Sequence, residues 1–124
     1  MADNTVADTG RVLGSSLGKL TQKELLFLVR RLCEIAAEQC NENGFRGGFR
    51  PGNIFISGSS ITVGPADKAG EDGWTKDMLE YMAPEIFWNG KKTSRADVYS
   101  IGLVLYSVYN HGLMPFWPAA YRRL

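Results

Sequence analysis

A stretch of glycines and arginines, RGGFRPGN, occupies residues 46–53 and is the part of the sequence best suited to chemistry. Its two arginines could bind phosphate or the backbone of a nucleic acid, and its glycines would let a loop approach such a ligand closely. The same composition also suits the active-site loop of an enzyme whose catalytic side chains have been replaced. The surrounding sequence has to separate these three interpretations.

The charge balance disfavours a nucleic-acid partner. The chain of 124 residues has a formal net charge of +1, whereas nucleic-acid binders usually carry a strong basic excess or a basic face. A chain of this length that is 44% hydrophobic and 22% charged is typical of one globular domain. We therefore expect a folded domain that binds no nucleic acid.

The two cysteines and the short length of the longest apolar run favour a cytoplasmic protein and do not indicate a cofactor. Cys33 and Cys40 lie on one predicted helix, about 10.5 Å apart along its axis, too far for a disulfide. With a single histidine they cannot build an ordinary zinc site. The apolar run 101–109 is far shorter than the ~20 residues of a membrane span, and the first residues do not resemble a secretory signal. We expect a cytoplasmic protein without metal, cofactor or membrane partner.

An amphipathic helix is predicted before the stretch of residues 46–53, and a β-hairpin is predicted after it. Thr21 and Glu24 form a capping box, and apolar residues then recur at helical spacing as far as Cys40. We expect this helix to be deeply packed, with Leu26, Cys33, Ala37 and Cys40 widening its buried face. After the stretch, NIFIS and SITVG flank Gly58 and Ser59, which predicts a β-hairpin.

A second helix and the chain ends complete the expected architecture. The helix begins at an N-cap near Ser94 and ends at Gly112, and a short helix is expected around Pro84. Because the second helix is apolar on nearly every side, we expect it to be central and buried. We assign residues 1–19 to a flexible N-terminal arm and residues 20–124 to one domain.

Two motifs and their spacing resemble protein kinases. YMAPEIF at 81–87 is similar to the A-P-E end of the activation segment, and RADVYSIGLVLY at 95–106 to the D-V-W-S-x-G helix that follows it. MPF at 114–116 fits the turn after that helix. The resemblance implies a mainly α-helical, truncated kinase-like C-lobe with one small β-hairpin.

The stretch of residues 46–53 then corresponds to the catalytic loop H-R-D-L-K-P-x-N. Its degenerate positions are Arg46 for the histidine, Gly47 for the arginine, Gly48 for the aspartate and Arg50 for the lysine, whereas Asn53 is retained. In kinases the loop aspartate accepts the substrate hydroxyl proton, which Gly48 cannot do.

Other catalytic parts of the family pattern are also lost. Pro65 stands where the resemblance places the metal-binding aspartate, which leaves Asp67 only as a displaced ligand, and no nucleotide-clamping lobe precedes the first helix. The resemblance therefore implies no enzyme activity, no catalytic residue and no metal.

The resemblance also implies three structural anchors. Asp97 would hold the catalytic loop by accepting hydrogen bonds from backbone N–H groups near Gly47 and Gly48. Glu85 would form a buried ion pair, for which Arg122 and Arg123 could replace the usual downstream arginine. Gly102 would let neighbouring elements pack closely.

This pattern is similar to the kinase non-catalytic C-lobe domain (KIND) or to a pseudokinase C-lobe fragment. We expect a non-catalytic protein–protein interaction module, with a protein partner or a second copy of the chain covering the apolar surface that a short lobe leaves open. The alternative is a kinase or pseudokinase fragment that retains weak nucleotide binding or phosphotransfer with a partner lobe.

Overall fold

The computed structural model describes residues 11–16 and 20–110. Within these residues a small antiparallel sheet and four α-helices surround one hydrophobic core. The elements in chain order are β1 (Arg11–Val12), α1 (Gln22–Glu38), β2 (Ile54–Ser57), β3 (Ser60–Val63), α2 (Lys76–Tyr81), α3 (Pro84–Asn89) and α4 (Ser94–Tyr109), with 3₁₀ turns at Leu13–Ser16 and Pro51–Asn53.

The first helix begins as its sequence predicts. The Thr21 hydroxyl accepts from the Glu24 backbone N–H at 3.1 Å, and the Glu24 carboxylate accepts from the Thr21 N–H at 2.8 Å. The helix ends at Glu38, two residues before the predicted end at Cys40, whose thiol bonds the Ala37 carbonyl at 3.4 Å. The capping box is a local interaction, so sequence was sufficient to locate it.

The predicted width of the buried face of α1 is wrong. Only Leu28, Leu32 and Ile35 are fully buried on this helix, whereas Leu26 is 70% exposed and both Cys33 and Ala37 are exposed. Cys40, beyond the helix end, is half-buried. The reason is that α1 packs through one side only, against α4 and β3. Its opposite side faces outward.

The hairpin is confirmed, and a third strand joins it. β2 and β3 pair antiparallel from Ile54 opposite Val63 to Ser57 opposite Ser60, around a turn in which Gly58 has φ +61°. β1 pairs with the other edge of β2, and Leu13 beyond it is completely buried. Through Leu13, residues 11–16 of the predicted N-terminal arm pack against the core. Residues 1–10 and 17–19 lie outside the described residues.

The helix α4 begins one residue earlier than predicted and is buried on one side. Thr93, not Ser94, is its N-cap, and the predicted end at Gly112 lies outside the described residues. Its core side contributes Ala96, Asp97, Ile101, Leu103, Val104, Ser107 and Val108. Its outer side carries Val98, Tyr106 and Tyr109, which are 70%, 41% and 66% exposed. The helix thus carries apolar side chains on all sides, but the other described residues cover only one side of it.

Across residues 11–16 and 20–110, no helix has the length and hydropathy that crossing a bilayer requires.

Candidate functional site

Asp97 fixes the backbone of the loop that contains Arg46 and Gly47. The carboxylate is 2% exposed, and it accepts hydrogen bonds from the Arg46 N–H at 2.7 Å and the Gly47 N–H at 2.9 Å. The prediction placed this contact near Gly47 and Gly48, so the structure shifts it by one residue. More than forty residues separate the partners, and α4 thereby positions the loop against the core.

Burial raises the pKa of the Asp97 carboxyl above its usual range, and the two backbone N–H groups and the Arg46 charge offset only part of that rise. The folded state therefore binds this proton more tightly than the unfolded state. At pH values between the unfolded-state and folded-state pKa of Asp97, the folded state holds more protons than the unfolded state. The stability that Asp97 contributes is therefore fully present below its unfolded-state pKa. It is lost as the pH rises through the folded pKa.

We therefore expect the stability difference between the wild type and Asp97→Asn to depend on pH. The advantage of the wild type should shrink as the pH rises from about 4 to neutrality, because the asparagine does not titrate. Denaturant unfolding of both proteins at a series of pH values measures this difference. A wild-type advantage that grew with pH would contradict the raised pKa.

The Arg46 side chain joins the loop to the end of β3. Its guanidinium donates to the carbonyls of Gly47 (2.9 Å), Val63 (2.9 Å) and Gly64 (2.5 Å), and also to the side-chain oxygen of Gln39 at 3.1 and 3.2 Å. It also lies 5.9 Å from the centre of the Phe49 ring. Burial lowers the pKa of Arg46, and the Asp97 charge acts in the opposite direction. The arginine at the histidine position is therefore a structural crosslink whose donors are engaged inside the fold.

Gly48, which the resemblance aligns with the catalytic aspartate, lies where there is no space for a side chain. The residue is buried and has φ +85°, a left-handed conformation that favours glycine. A Cβ added there would lie 2.9 Å from Asn53 Nδ2, 3.0 Å from the Arg46 guanidinium and 3.1 Å from the Pro65 carbonyl oxygen. Both the backbone conformation and the neighbours therefore disfavour any side chain at this position.

Asn53 is nearly buried, and its amide ties the loop to the chain after β3. Its Nδ2 donates to the carbonyls of Gly48 at 2.9 Å and Pro65 at 3.0 Å. Its Oδ1 lies so close to Gly64 that a Cβ at that residue would be 2.2 Å away. The retained asparagine thus has a structural role here, and it requires glycine at position 64.

Arg50 is paired with two aspartates from separate segments. Its guanidinium donates to both carboxylate oxygens of Asp67, each at 2.9 Å, and to Asp77 Oδ2 at 2.6 Å. The side chains of Arg50 and Asp67 are each 18% exposed, whereas Asp77 is 48% exposed. The hydrogen bonds that Arg50 donates to Asp67 are the main cause that raises the pKa of Arg50, and burial opposes this rise. We call these three residues the Arg50 clamp, and it joins the loop, the chain after β3 and the start of α2.

The described residues offer little room or ligation for a nucleotide and its metal at this loop. No group of three or more His, Cys, Asp or Glu side chains within residues 11–16 and 20–110 is arranged to hold a metal ion. The cavity beside Gly48 and Asp67 has a volume of about 40 Å³, far below the ~300 Å³ at which small-molecule pockets begin. A larger cavity of about 580 Å³ lies between the start of α1 and the hairpin turn, away from the loop.

The other two predicted anchors lie outside this cluster. Glu85 is half-buried in the first turn of α3 and makes no ion pair with a described residue, while Arg122 and Arg123 lie outside the described residues. Gly102 is exposed, and a Cβ added there would meet no described atom within 4 Å. Gly102 lies on the outer side of α4, and the expectation that it permits close packing stays a prediction.

Sequence reasoning missed several residues that build the cluster. No sequence pattern singled out Gln39, Gly64 or Asp77. In the structure, Gln39 accepts hydrogen bonds from Arg46 and Asp77 accepts one from Arg50. Asp67 was considered only as a displaced metal ligand, whereas it is the ion-pair partner of Arg50. No short-range pattern marks these residues, since their partners lie 7 to 27 residues away.

Comparisons with known proteins match this chain to one family. The profile of the family described as "Protein tyrosine and serine/threonine kinase" matches residues 56–123, more than half of the chain. The chain is 29% identical to Tyrosine-protein kinase TXK of Homo sapiens over 119 residues, which cover 84% of this chain and 21% of that protein.

Shorter matches occur to Ephrin type-B receptor 6. The identity is 35% over 43 residues in Rattus norvegicus and 38% over 40 residues in Homo sapiens, in each case 4% of the receptor and about a third of this chain. The chain therefore spans about a fifth of the kinase, and much less of the receptors. On the match of the family profile, this chain belongs to the protein tyrosine and serine/threonine kinase family.

Proposed function

We propose that this kinase-like domain is non-catalytic and acts as a protein–protein interaction module, of the KIND type or as a pseudokinase C-lobe. The observation that carries the proposal is the closed position at Gly48. The residue that stands for the catalytic base has no side chain, its backbone is left-handed, and neighbouring atoms fill the space where a Cβ would lie. General base catalysis of phosphoryl transfer needs a carboxylate at that place.

The groups that could bind magnesium support the same proposal. Both N–H donors of the Asn53 amide bond backbone carbonyls, which directs its oxygen towards Gly64 rather than into an open site. The Asp67 carboxylate accepts hydrogen bonds from two nitrogens of the Arg50 guanidinium, Nε and Nη2. A divalent ion would have to compete with a charge-assisted bidentate pair for that carboxylate.

The surface supports the binding role. Besides the outer side of α4, α1 exposes Leu26 and α3 exposes Trp88, which are 70% and 78% accessible. Phe87, which is 50% exposed, packs edge-on against Trp88, so these two rings form one exposed apolar patch, and contiguous patches mark sites of association. A protein partner is thus favoured over a nucleic acid or a membrane, and the cytoplasmic location stays a prediction.

We expect the protein to bind neither ATP nor the ATP–magnesium complex. A ligand at a hundred times its Kd would stabilise the fold by about 2.7 kcal/mol, which raises the melting temperature by several degrees. Thermal unfolding with millimolar ATP and magnesium should show no such shift, and incubation with ATP should leave the chain and a mixed peptide substrate unphosphorylated.

Inorganic triphosphate with magnesium is the matched control, because it reproduces the charge without the nucleoside. A saturable shift with ATP, absent with triphosphate and abolished by a chelator, would overturn the proposed function. The variant Gly48→Asp tests directly whether the space at position 48 is closed to a side chain. We expect it to be less stable and still inactive, because the new side chain would have to displace Asn53 or Arg46.

A further inference from the structure

Two exposed aromatic side chains at the end of α3 are followed by three exposed cations. Phe87 and Trp88 are 50% and 78% exposed, and their rings meet edge to face with centroids 5.9 Å apart. Lys91 and Lys92 follow the end of α3, and Arg95 lies in the first turn of α4. All three cations are exposed. We call these five residues the aromatic–basic patch.

The chain turns back after α3, so that part of the patch lines a cavity. Gly90 has a left-handed φ of +68°, and the Lys91 N–H donates to the Glu85 carbonyl at 3.2 Å. A cavity of about 460 Å³ lies between α3 and the start of α4. Its lining residues are Glu85, Lys91, Thr93, Ser94 and Arg95. Trp88 lies three residues after Glu85 on the same side of α3, so the exposed indole is next to one wall of this cavity.

The three cations of the patch have no partner among the described residues. No ion pair joins any of them to an acid within residues 11–16 and 20–110. Glu85 is the one acid in the described lining of the cavity. The next acid along the chain is Asp97, whose carboxylate is buried and accepts from the backbone N–H groups of Arg46 and Gly47. Three positive charges are thus concentrated here, although the whole chain has a net charge of only +1.

The charge of the patch disfavours two possible occupants. Residues 111–124 contain no aspartate or glutamate, so they cannot neutralise the cations. A second copy of the chain in a symmetric contact would place the same patch against itself, because an isologous interface joins identical surfaces. The two sets of cations would then repel each other.

Residues 1–10 contain two aspartates but join the fold far from the patch. They precede β1, which pairs with the hairpin beside the start of α1. The start of α4 is instead near the end of α1, because Arg46 bonds both Gln39 and Asp97. The 17 residues of α1 make a helix about 25 Å long, and ten residues span at most about 35 Å. Residues 1–10 would therefore need most of their extended length to reach the patch.

We propose that the aromatic–basic patch binds an acidic segment of a protein partner, in which carboxylates flank one apolar side chain. The inference rests on the proposed binding role of the domain and names the chemistry of its partner. The apolar side chain packs on the rings of Phe87 and Trp88, and a carboxylate enters the cavity at Lys91 and Arg95. Tryptophan and arginine are the residue types that most often dominate the binding energy of an interface, and charge complementarity sets its specificity and association rate.

The geometry favours a protein segment over a nucleic acid or a membrane. Bases stack on flat ring faces, whereas the planes of Phe87 and Trp88 are 83° apart and offer no parallel platforms. Glu85 in the cavity wall would repel phosphate, and three cations are few for a nucleic-acid backbone. A bilayer surface is too broad to enter a cavity between two helices, but a single side chain can.

Selection from a random library of twelve-residue peptides displayed on phage, with the full chain of 124 residues as the target, tests the chemistry of the partner. We expect the enriched peptides to be negatively charged, with acids on both sides of a leucine or an aromatic residue. The most enriched peptide, made synthetically, should bind with a Kd of about 1–100 µM. Its affinity should fall about fivefold between 50 and 300 mM NaCl, because exposed charges are screened by salt.

The variants Trp88→Ala and Lys91→Glu test the place of binding. Each should weaken binding of this peptide by about tenfold, and Lys91→Glu should also reduce its dependence on salt. The matched controls are Leu26→Ala and Lys23→Glu, which change exposed residues of α1 and should leave the Kd within about twofold. Because all four side chains are exposed, the melting temperatures should stay close to that of the wild type.

Several outcomes would overturn the proposal. They are a selection without enriched peptides, enriched peptides without negative charge, and a Kd that Trp88→Ala and Lys91→Glu leave unchanged. Tighter binding to a twelve-nucleotide oligothymidylate or to phosphatidylserine vesicles than to the peptide would assign the patch to a nucleic acid or a membrane. A tenfold gain in peptide affinity on changing Asp3 and Asp8 to asparagine would show that residues 1–10 cover the patch.

Failure here is distinct from failure of the proposed function. A peptide that binds with the same Kd to both patch variants would leave the binding role of the domain intact and remove only its assignment to this patch. Stabilisation by ATP and magnesium would contradict the non-catalytic role without changing the peptide affinity of the patch.

Discussion

Replacing Gly64 with alanine is expected to destabilise the domain by about 3 kcal/mol. The new Cβ would lie 2.2 Å from Asn53 Oδ1, a distance that non-bonded atoms cannot adopt. Asn53 would have to leave its place, and its bonds to the Gly48 and Pro65 carbonyls would break. The cost therefore comes from lost hydrogen bonds in a nearly buried site as well as from steric strain.

Denaturant unfolding of Gly64→Ala measures this cost, and Gly70→Ala is the matched control. Gly70 lies in an exposed turn, has no left-handed φ, and would place a Cβ no closer than 3.9 Å to its nearest neighbour. The control should change the free energy of unfolding by no more than about 0.5 kcal/mol. Equal stability of the two variants would show that Asn53 does not occupy the position described.

The variant Asp97→Ala is expected to lose about 2–5 kcal/mol of stability. It leaves two backbone donors, Arg46 N–H and Gly47 N–H, without their partner, and each unsatisfied buried donor costs about 1–3 kcal/mol. It also removes the charge that offsets the burial of the Arg46 guanidinium. The loss should appear in the unfolding curve and as faster amide hydrogen exchange at residues 46 and 47.

The exposed Asp72 provides the comparison for Asp97. Asp72→Ala should leave both the unfolding curve and the exchange rates at residues 46 and 47 close to wild type. If Asp97→Ala destabilised the domain without changing exchange at those two residues, the carboxylate would stabilise the helix alone. The hydrogen bonds to the loop would then have no energetic role.

Local interactions explain what the sequence could predict about the fold. The capping box of α1 and the two-residue turn of the hairpin depend on residues within four positions of each other, so their patterns are readable without tertiary information. The burial of Leu13 and the exposure of Leu26 depend on which neighbouring element packs there. Composition placed Leu13 in the N-terminal arm, and helical periodicity wrongly placed Leu26 on the buried face of α1. The same limit applies to α4, since an apolar sequence does not tell which side of the helix is covered.

The candidate site was only partly predictable for a related reason. The resemblance to kinases placed Asp97 at the loop because the family pattern contains that contact. It could not supply the partners of Arg46 and Arg50, because these arginines replace the family residues and form new contacts. For Gly102 the described residues supply no packing neighbour, so the role implied by the resemblance stays a prediction.

The Arg50 clamp has a consequence for how this surface can be regulated. The two acids that hold Arg50 belong to the chain itself, so the segment from Asp67 to Asp77 is tied to the loop without an added phosphate or a bound ligand. Because these charges are always present, a modification would have to break the ion pairs of Arg50 before it could move the segment. We therefore expect the segment from Asp67 to Asp77 to keep this position without phosphorylation.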